Sequence, residues 1–147
     1  MTRSARLAIG TLVLAVLTLT AACTGPSAKP SDAFVEIDLY SGRENPTSPL
    51  TWKASQDLLA FINSHAPDAE PAAEPMAALG FRGLVVTPID TDNNSSHIRI
   101  VPTAVYVTDG DVTQRIADES GEAFYLVWDD VRAHLEPAVV NAVEAAR

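Results

Sequence analysis

A short segment of the sequence concentrates side chains that are suited to recognising a ligand. Residues 40–46 read Tyr-Ser-Gly-Arg-Glu-Asn-Pro, and Trp52 follows shortly after them. Arg43 offers a planar guanidinium fork for a carboxylate, and Trp52 offers an aromatic face for stacking. Because binding residues often lie on loops, this segment predicts a recognition site for a carboxylate, a sugar or a peptide.

The same residues also fit a purely structural interpretation. Arg43 and Asn45 can hold an irregular connection by bonding backbone carbonyl and amide groups, while Trp52 fills the hydrophobic core. The sequence leaves both interpretations open, and they differ in whether Arg43 and Trp52 are buried.

This segment resembles a motif found in uncharacterised secreted bacterial proteins. In that family a strand is followed by Ser-Gly-Arg-x-Asn-Pro, by a tryptophan and later by an aromatic-Arg-Gly element, which residues 81–83 match here. The resemblance loosely covers most of the chain after its N-terminal leader and implies a relationship without a reaction. The binding positions that it carries over are Arg43, Asn45, Trp52 and Arg82.

No catalytic residue can be named from the sequence. The three histidines, His65, His97 and His134, lie more than thirty positions apart, so no spacing marks a catalytic pair or a metal site. A G-x-S-x-G nucleophile motif is absent from the sequence. We therefore expect no cofactor and favour a non-enzymatic protein. The alternative is a small envelope hydrolase, or a module that modulates one, using acidic residues near the Arg43 loop.

The segment Asp90-Thr-Asp92-Asn93-Asn94 begins like a calcium-binding loop with alternating oxygen ligands. However, Ser95 stands where an EF-hand has glycine, and Val101 stands where it has the bidentate glutamate. We expect no metal site here, although a looser calcium site at Asp90 and Asp92 stays open. The simpler interpretation is a solvated turn.

The elements that position these residues begin with a strand over residues 34–40, where apolar and polar side chains alternate. Phe34 or Val35 would face the core together with Ile37 and Leu39. Residues 41–51 contain Gly42, Pro46 and Pro49, which predicts a loop without regular structure.

A helix is predicted after Trp52, with Ser55 as its cap and Pro67 beyond its end. Residues 67–75 combine three prolines with acidic residues and alanines, which predicts a connector that stays mobile on the surface. The buried face of the helix is predicted at the i, i+3, i+4, i+7 spacing, by Leu58, Phe61, Ile62 and His65.

The central part of the chain predicts a small, mostly antiparallel sheet. Residues 81–89 form one strand candidate, and residues 97–108 form two short runs broken at Pro102. Asp109-Gly110 is a turn signal that favours positive φ, and residues 112–116 can pair back as a hairpin.

One or two helices are predicted near the C-terminus. Pro137 suits the first turn of a final helix because its missing N–H is not needed there. The fold class is therefore α+β, with one helix after the first strand and one or two C-terminal helices. The apolar positions at helical spacing are Phe124, Val127, Trp128, Val131 and Leu135, followed by Val139, Val140 and Val143.

Residues 1–22 have the layout of a signal peptide. Arg3 and Arg6 precede an uncharged run, and the small residues Ala21 and Ala22 directly precede Cys23. The apolar run is shorter than the roughly 20 residues that a permanent membrane helix needs. We therefore expect export followed by cleavage of this leader.

Cys23 is the one cysteine of the chain. The sequence Leu19-Thr-Ala-Ala-Cys23 resembles the lipobox of bacterial lipoproteins, with Thr20 where that family usually has a branched aliphatic residue. The resemblance implies acylation of Cys23, and several acyl chains give stable anchoring. Residues 23–32 would form a lipidated tether, and residues 33–147 a single domain on the extracytoplasmic face of the cell membrane.

The expected mature chain is strongly acidic. Removal of Arg3 and Arg6 with the leader leaves eight basic and nineteen acidic residues, a net charge of −11. Nucleic acid and anionic head groups would repel such a surface, so the membrane would be reached through the lipid. The expected partner is an envelope protein or a cell-wall ligand.

Overall fold

A computed structural model describes residues 33–40, 42–75, 80–87 and 96–147. This part of the chain combines one sheet with three α-helices and a short 3₁₀-helix, so the predicted α+β class is confirmed. The strands are β1 (Phe34–Asp38), β2 (Thr47–Pro49), β3 (Gly83–Thr87), β4 (His97–Val101), β5 (Ala104–Asp109) and β6 (Val112–Ala117), and the helices are α1 (Trp52–Ser64), α2 (Glu122–Val131) and α3 (Pro137–Glu144).

The six strands form one antiparallel sheet in the order β2-β1-β3-β4-β5-β6. Alternate residues point to opposite faces of a strand, and one face is apolar and packs against the helices, with Trp128 of α2 at 0 % exposure. The opposite face is largely polar. The register places one row of that face across five strands, through Glu36, Val85, Arg99, Tyr106 and Arg115.

The sequence pattern left open whether Phe34 or Val35 faces the core. Val35, Ile37 and Leu39 are buried, whereas Phe34 points away from the helices and is exposed. The predicted β5–β6 hairpin is confirmed, with Asp109 paired to Val112 and Gly110 at φ 59°. Glycine suits this turn because it adopts positive φ without a Cβ clash.

The predicted loop over residues 41–51 contains a short strand, so the expectation of no regular structure was wrong. β2 occupies Thr47–Pro49 and pairs with β1, with Pro49 opposite Phe34. Proline is tolerated there because β2 is an edge strand, where a backbone N–H can be missing without breaking an inner ladder.

Helix α1 starts earlier than predicted. Thr51, not Ser55, is the N-cap, and its Oγ1 accepts the N–H of Ala54 at 3.3 Å. The position of His65 was also predicted wrongly: it is exposed, follows the helix, and its Nδ1 donates to the carbonyl of Phe61 at 2.8 Å.

The connector over residues 67–75 was predicted to stay mobile on the surface; it lies on the surface, but its backbone is bonded to the sheet. The backbone N–H groups of Asp68 and Ala72 donate to the carbonyls of Arg115 and Thr113 at 2.8 and 2.9 Å. The segment therefore runs beside the edge strand β6 and covers edge groups that could otherwise pair with another chain.

The predicted C-terminal helices are confirmed as α2 and α3, with Pro137 in the first turn of α3. α2 is shorter than its apolar pattern suggested, because a 3₁₀-helix over Arg132–His134 follows it. Leu135 lies after this 3₁₀-helix and is half-buried. No helix in the described part of the chain is long and apolar enough to cross a membrane. Cys23, Asp90 and Asp92 lie outside the described residues.

Candidate functional site

Asp38, the last residue of β1, is the centre of a charged network on the polar face of the sheet. Arg82 donates to Asp38 Oδ1, and Arg99 of β4 donates to Asp38 Oδ2 at 2.7 Å. Asp38 is only 8 % exposed. A carboxylate buried to this degree would be unfavourable alone, and the two guanidinium groups compensate it.

Arg99 reaches Asp38 across the intervening strand β3, where Gly83 is the residue paired with Asp38. A Cβ at Gly83 would lie 3.4 Å from Cγ of Arg99 and 2.8 Å from the carbonyl oxygen of Ile100. Gly83 also has φ 133°, a conformation that other residues rarely adopt. The positive φ and the close carbonyl oxygen of Ile100 therefore favour glycine in the Phe-Arg-Gly element.

Glu74, in the segment beside β6, extends the network to the other side of Arg99. Its carboxylate accepts from Arg99 Nε at 2.7 Å and from Thr108 Oγ1 at 3.0 Å, and it pairs with His97. These contacts hold the segment over strands β4 and β5. Glu74 therefore fixes this segment to the sheet.

The two carboxylates of the network are held in the ionised form. Burial alone would raise the pKa of Asp38, but hydrogen bonds and attraction from Arg99 and Arg82 outweigh it, so its pKa lies below the ordinary 3.8. Burial likewise opposes ionisation of Glu74, and its bonds to Arg99, His97 and Thr108 bring its pKa below 4.5. Neither carboxylate is suited to act as a general acid near neutral pH.

Asn45 holds the loop that leaves β1. Its Oδ1 accepts the backbone N–H groups of Leu39 and Tyr40 at 3.1 and 2.8 Å. Its Nδ2 donates to Glu36 at 2.7 Å and to Asp38 at 3.2 Å. With four hydrogen bonds inside the fold, Asn45 follows the structural interpretation of the motif.

Arg82 also follows the structural interpretation. Besides its bond to Asp38, it donates to the carbonyl of Tyr40 at 3.0 Å. Arg82 and Asn45 thus contact the same carboxylate from two sides and together support the start of the Arg43 loop. Within the described residues, the buried Nε of Arg82 has no hydrogen-bond partner.

Arg43 differs from the other motif residues because it points outward. Its guanidinium carbon lies 3.3 Å from the centroid of the Tyr40 ring, which is a cation–π contact, and the residue is exposed. Among the described lysines and arginines, Arg43 alone has no carboxylate within ion-pair distance. The donor groups of its guanidinium therefore remain available to a ligand.

Arg43 lies in an open cleft of about 470 Å³ between its own loop and the start of α3. Tyr40, Asn45 and Pro46 line one side. The other side is formed by His134, Leu135, Glu136 and Val139, and Glu44 also lies on the rim. The cleft combines one unpaired cation, two exposed carboxylates, a histidine and several apolar groups.

Trp52 is not part of this cleft. It is the first residue of α1, on the far side of β2 from the Arg43 loop, and it is 50 % exposed. The proposal that Trp52 fills the core was wrong, because the apolar face of α1 is formed by Ala54, Leu58 and Phe61. The structure therefore does not bring Trp52 together with Arg43 as one recognition patch.

Asp38, Glu74 and Arg99 were not identified from the sequence. The sequence does contain a signal for Arg99. In His97-Ile-Arg-Ile-Val101, period-two alternation places His97 and Arg99 on the face opposite the core. Their carboxylate partners depend on the strand order, and Glu74 depends on the path of an irregular segment. Neither follows from a local pattern.

No group of three His, Cys, Asp or Glu side chains in the described ranges is arranged to hold a metal ion. Comparison with protein-family models, with curated proteins and with solved structures finds no match. The relationship suggested by the Ser-Gly-Arg-x-Asn-Pro motif therefore stays a prediction, and the candidate site rests on geometry.

Proposed function

We propose that the chain is an exported, lipid-anchored protein of the bacterial envelope whose domain binds a carboxylate-bearing peptide or cell-wall component. The anchor would be Cys23, and the binding site would be the cleft at Arg43. The leader and the resemblance to a lipobox in the sequence support the anchor. The binding site is supported by Arg43, the one exposed lysine or arginine among the described residues that has no carboxylate partner.

The free guanidinium of Arg43 carries this proposal. The chain is acidic, and every other described lysine or arginine is paired with a carboxylate. The Tyr40 ring holds the guanidinium while leaving its edge free, and a planar fork binds a carboxylate through two parallel hydrogen bonds. Leu135, which is half-buried, supplies apolar surface beside it. These features support recognition of an anionic group next to an apolar one.

The anchor is tested by mass spectrometry of the mature N-terminus. We expect acylated Cys23 as the first residue, and we expect Cys23→Ala to abolish acylation and to release the domain from the membrane fraction or leave uncleaved precursor. An unmodified Cys23, or cleavage well downstream of it, would contradict the anchor.

The binding site is tested with soluble cell-wall peptides that have free carboxylates and with the same peptides after amidation. Calorimetry should detect binding of the free acids only, and Arg43→Ala should weaken it about 10-fold or more, since a charge-assisted hydrogen bond contributes roughly 1.5–3 kcal/mol. Lys53→Ala is the matched control because Lys53 does not line the cleft. Equal affinity for acid and amide would overturn the proposed ligand class.

The cleft also gives one observation in favour of a hydrolase. His134, Glu44 and Glu136 all line it, so a histidine and two carboxylates stand beside Arg43. However, no hydrogen bond among the described residues joins these three side chains, and all three are exposed, whereas a catalytic base is usually oriented by a partner. Release of products from the bound peptides, lost in His134→Ala and Glu136→Gln, would favour the enzyme over the binding module.

A further inference from the structure

Two large aromatic side chains are exposed at the end of the sheet where the chain enters the fold. Phe34 is 52 % exposed and Trp52 is 50 % exposed. The register pairs Phe34 with Pro49, and Trp52 follows Pro49 by three residues. Single exposed apolar residues are common on proteins, but these two lie at the same end of the sheet, because Phe34 begins β1 and Trp52 shortly follows the β2 residue that pairs with it.

The backbone is fixed at this same corner. The carbonyl of Ala33 accepts the N–H of Leu50 at 2.9 Å, so the chain is tied to the fold one residue before Phe34. Nine residues, 24–32, separate Ala33 from Cys23. Since each of the ten steps from Cys23 to Ala33 spans at most about 3.6 Å, an acylated Cys23 would keep this corner within about 36 Å of the bilayer surface.

The Arg43 cleft lies toward the opposite end of the sheet. β1 runs from Phe34 to Asp38, and four steps of about 3.3 Å place its two ends about 13 Å apart. The loop that carries Arg43 continues beyond Asp38. The two features therefore mark different ends of the domain.

We propose that Phe34 and Trp52 rest on the bilayer interface and orient the anchored domain so that the Arg43 cleft faces away from the membrane. This inference rests on the proposed lipid anchor at Cys23. Tryptophan favours the membrane–water interface, and phenylalanine is typical of the apolar side that interfacial segments turn to the bilayer. The anchor holds the domain at the surface, and the two rings select which end touches it.

The fluorescence of Trp52 tests this orientation. The mature acylated protein is reconstituted in phosphatidylcholine vesicles, and phosphatidylcholine with brominated acyl chains serves as the quencher. We expect Trp52 emission to shift to shorter wavelength and to be quenched by the brominated lipid. The other tryptophan, Trp128, is fully buried and should not respond, so Trp52→Phe should abolish both changes.

Two further variants test whether membrane contact is specific to Phe34 and Trp52 or is shared by any exposed aromatic side chain. Phe34→Ser should reduce quenching of Trp52, because it removes half of the aromatic contact. Tyr125→Ser should have no effect, since Tyr125 is 47 % exposed but lies on α2, away from this corner.

The possible outcomes distinguish failure of the proposed orientation from failure of the proposed lipid anchor. Acylated protein without quenching of Trp52 would overturn the orientation and leave the anchor intact. A shift to shorter wavelength without quenching by brominated lipid would mean that a second copy of the chain covers Trp52, which also overturns it. An unacylated Cys23 in the same preparation would overturn the anchor and, with it, the orientation.

Discussion

Arg99 of β4 binds Asp38 of β1 across the whole width of β3, with Nη1 at 2.7 Å from Oδ2. This ion pair joins β1 and β4 over Gly83 of β3, and Glu74 accepts a hydrogen bond from Nε of the same guanidinium. Because both carboxylates are held ionised in the folded protein, the contact links folding stability to pH.

We expect the free energy of unfolding to decrease as the pH falls through and below about 4.5. The folded protein lowers the pKa of Glu74 from 4.5 and that of Asp38 from 3.8. The unfolded chain therefore binds more protons in this range, and the stability that the carboxylates contribute at higher pH is lost on acidification. Urea unfolding at a series of pH values measures the effect.

Asp38→Asn should flatten that acid dependence, because it removes one of the groups that must take up a proton on unfolding. Asp111→Asn is the control, since Asp111 is exposed in the β5–β6 turn and should leave the dependence unchanged. The same acid dependence in the wild type and in Asp38→Asn would contradict the role given to Asp38.

Asn45→Ala should destabilise the domain by about 1–3 kcal/mol. The change leaves the N–H groups of Leu39 and Tyr40 without their acceptor, and unsatisfied half-buried groups have costs of that order. Asn63→Ala, on the exposed side of α1, should stay within about 0.5 kcal/mol. Thermal unfolding compares the two, and an equally small effect for Asn45→Ala would show that the loop does not depend on this side chain.

Arg43→Ala should lower stability by no more than about 1 kcal/mol, because an exposed cation–π contact contributes roughly 0.5–1 kcal/mol. Arg99→Ala serves as the contrast: it removes one partner of a largely buried ion pair, and we expect about 3 kcal/mol or more. A loss for Arg43→Ala as large as that for Arg99→Ala would favour the structural interpretation of Arg43 over recognition.

Trp52→Ala should cost about 1 kcal/mol or less, although a buried tryptophan in this position would cost roughly 3–5 kcal/mol. The reason is that half of the Trp52 side chain faces solvent. Trp128→Ala shows the loss of stability expected for a buried tryptophan, because Trp128 is buried and donates through Nε1 to Glu144 at 2.9 Å. Chemical denaturation of both variants gives the comparison, and similar losses would place Trp52 in the core after all.

Much of the fold could be predicted from local patterns. Period-two alternation identified the strand around residues 34–40, two short runs broken at Pro102 identified those around residues 97–108, and helical spacing identified α1, α2 and α3. The errors lay where pattern is weak: β2 is three residues long, and the segment over residues 67–75 lacks apolar side chains of strand or helix period. Both are held by backbone bonds to a neighbouring strand, which composition does not reveal.

The candidate site was predictable only as a set of positions. The sequence singled out Arg43, Asn45, Trp52 and Arg82 but left open whether each was buried. In the structure, Asn45 and Arg82 are part of the scaffold, Arg43 is free in a cleft, and Trp52 lies at a different corner. Residue type restricts what a side chain can bind, whereas its partners depend on which strands become neighbours.

The sequence by itself determined the α+β class, most core-facing positions of the longer strands and helices, and the acidic charge, because these depend on residue types and on their spacing along the chain. Only the tertiary structure decided that Asp38, separated from Arg99 by 61 positions, binds it across Gly83. It also decided that Arg82 pairs with Asp38, whereas Arg43 is the one described lysine or arginine without a carboxylate partner. The physical reason is that ion pairing follows distance in space, and the antiparallel strand order sets that distance.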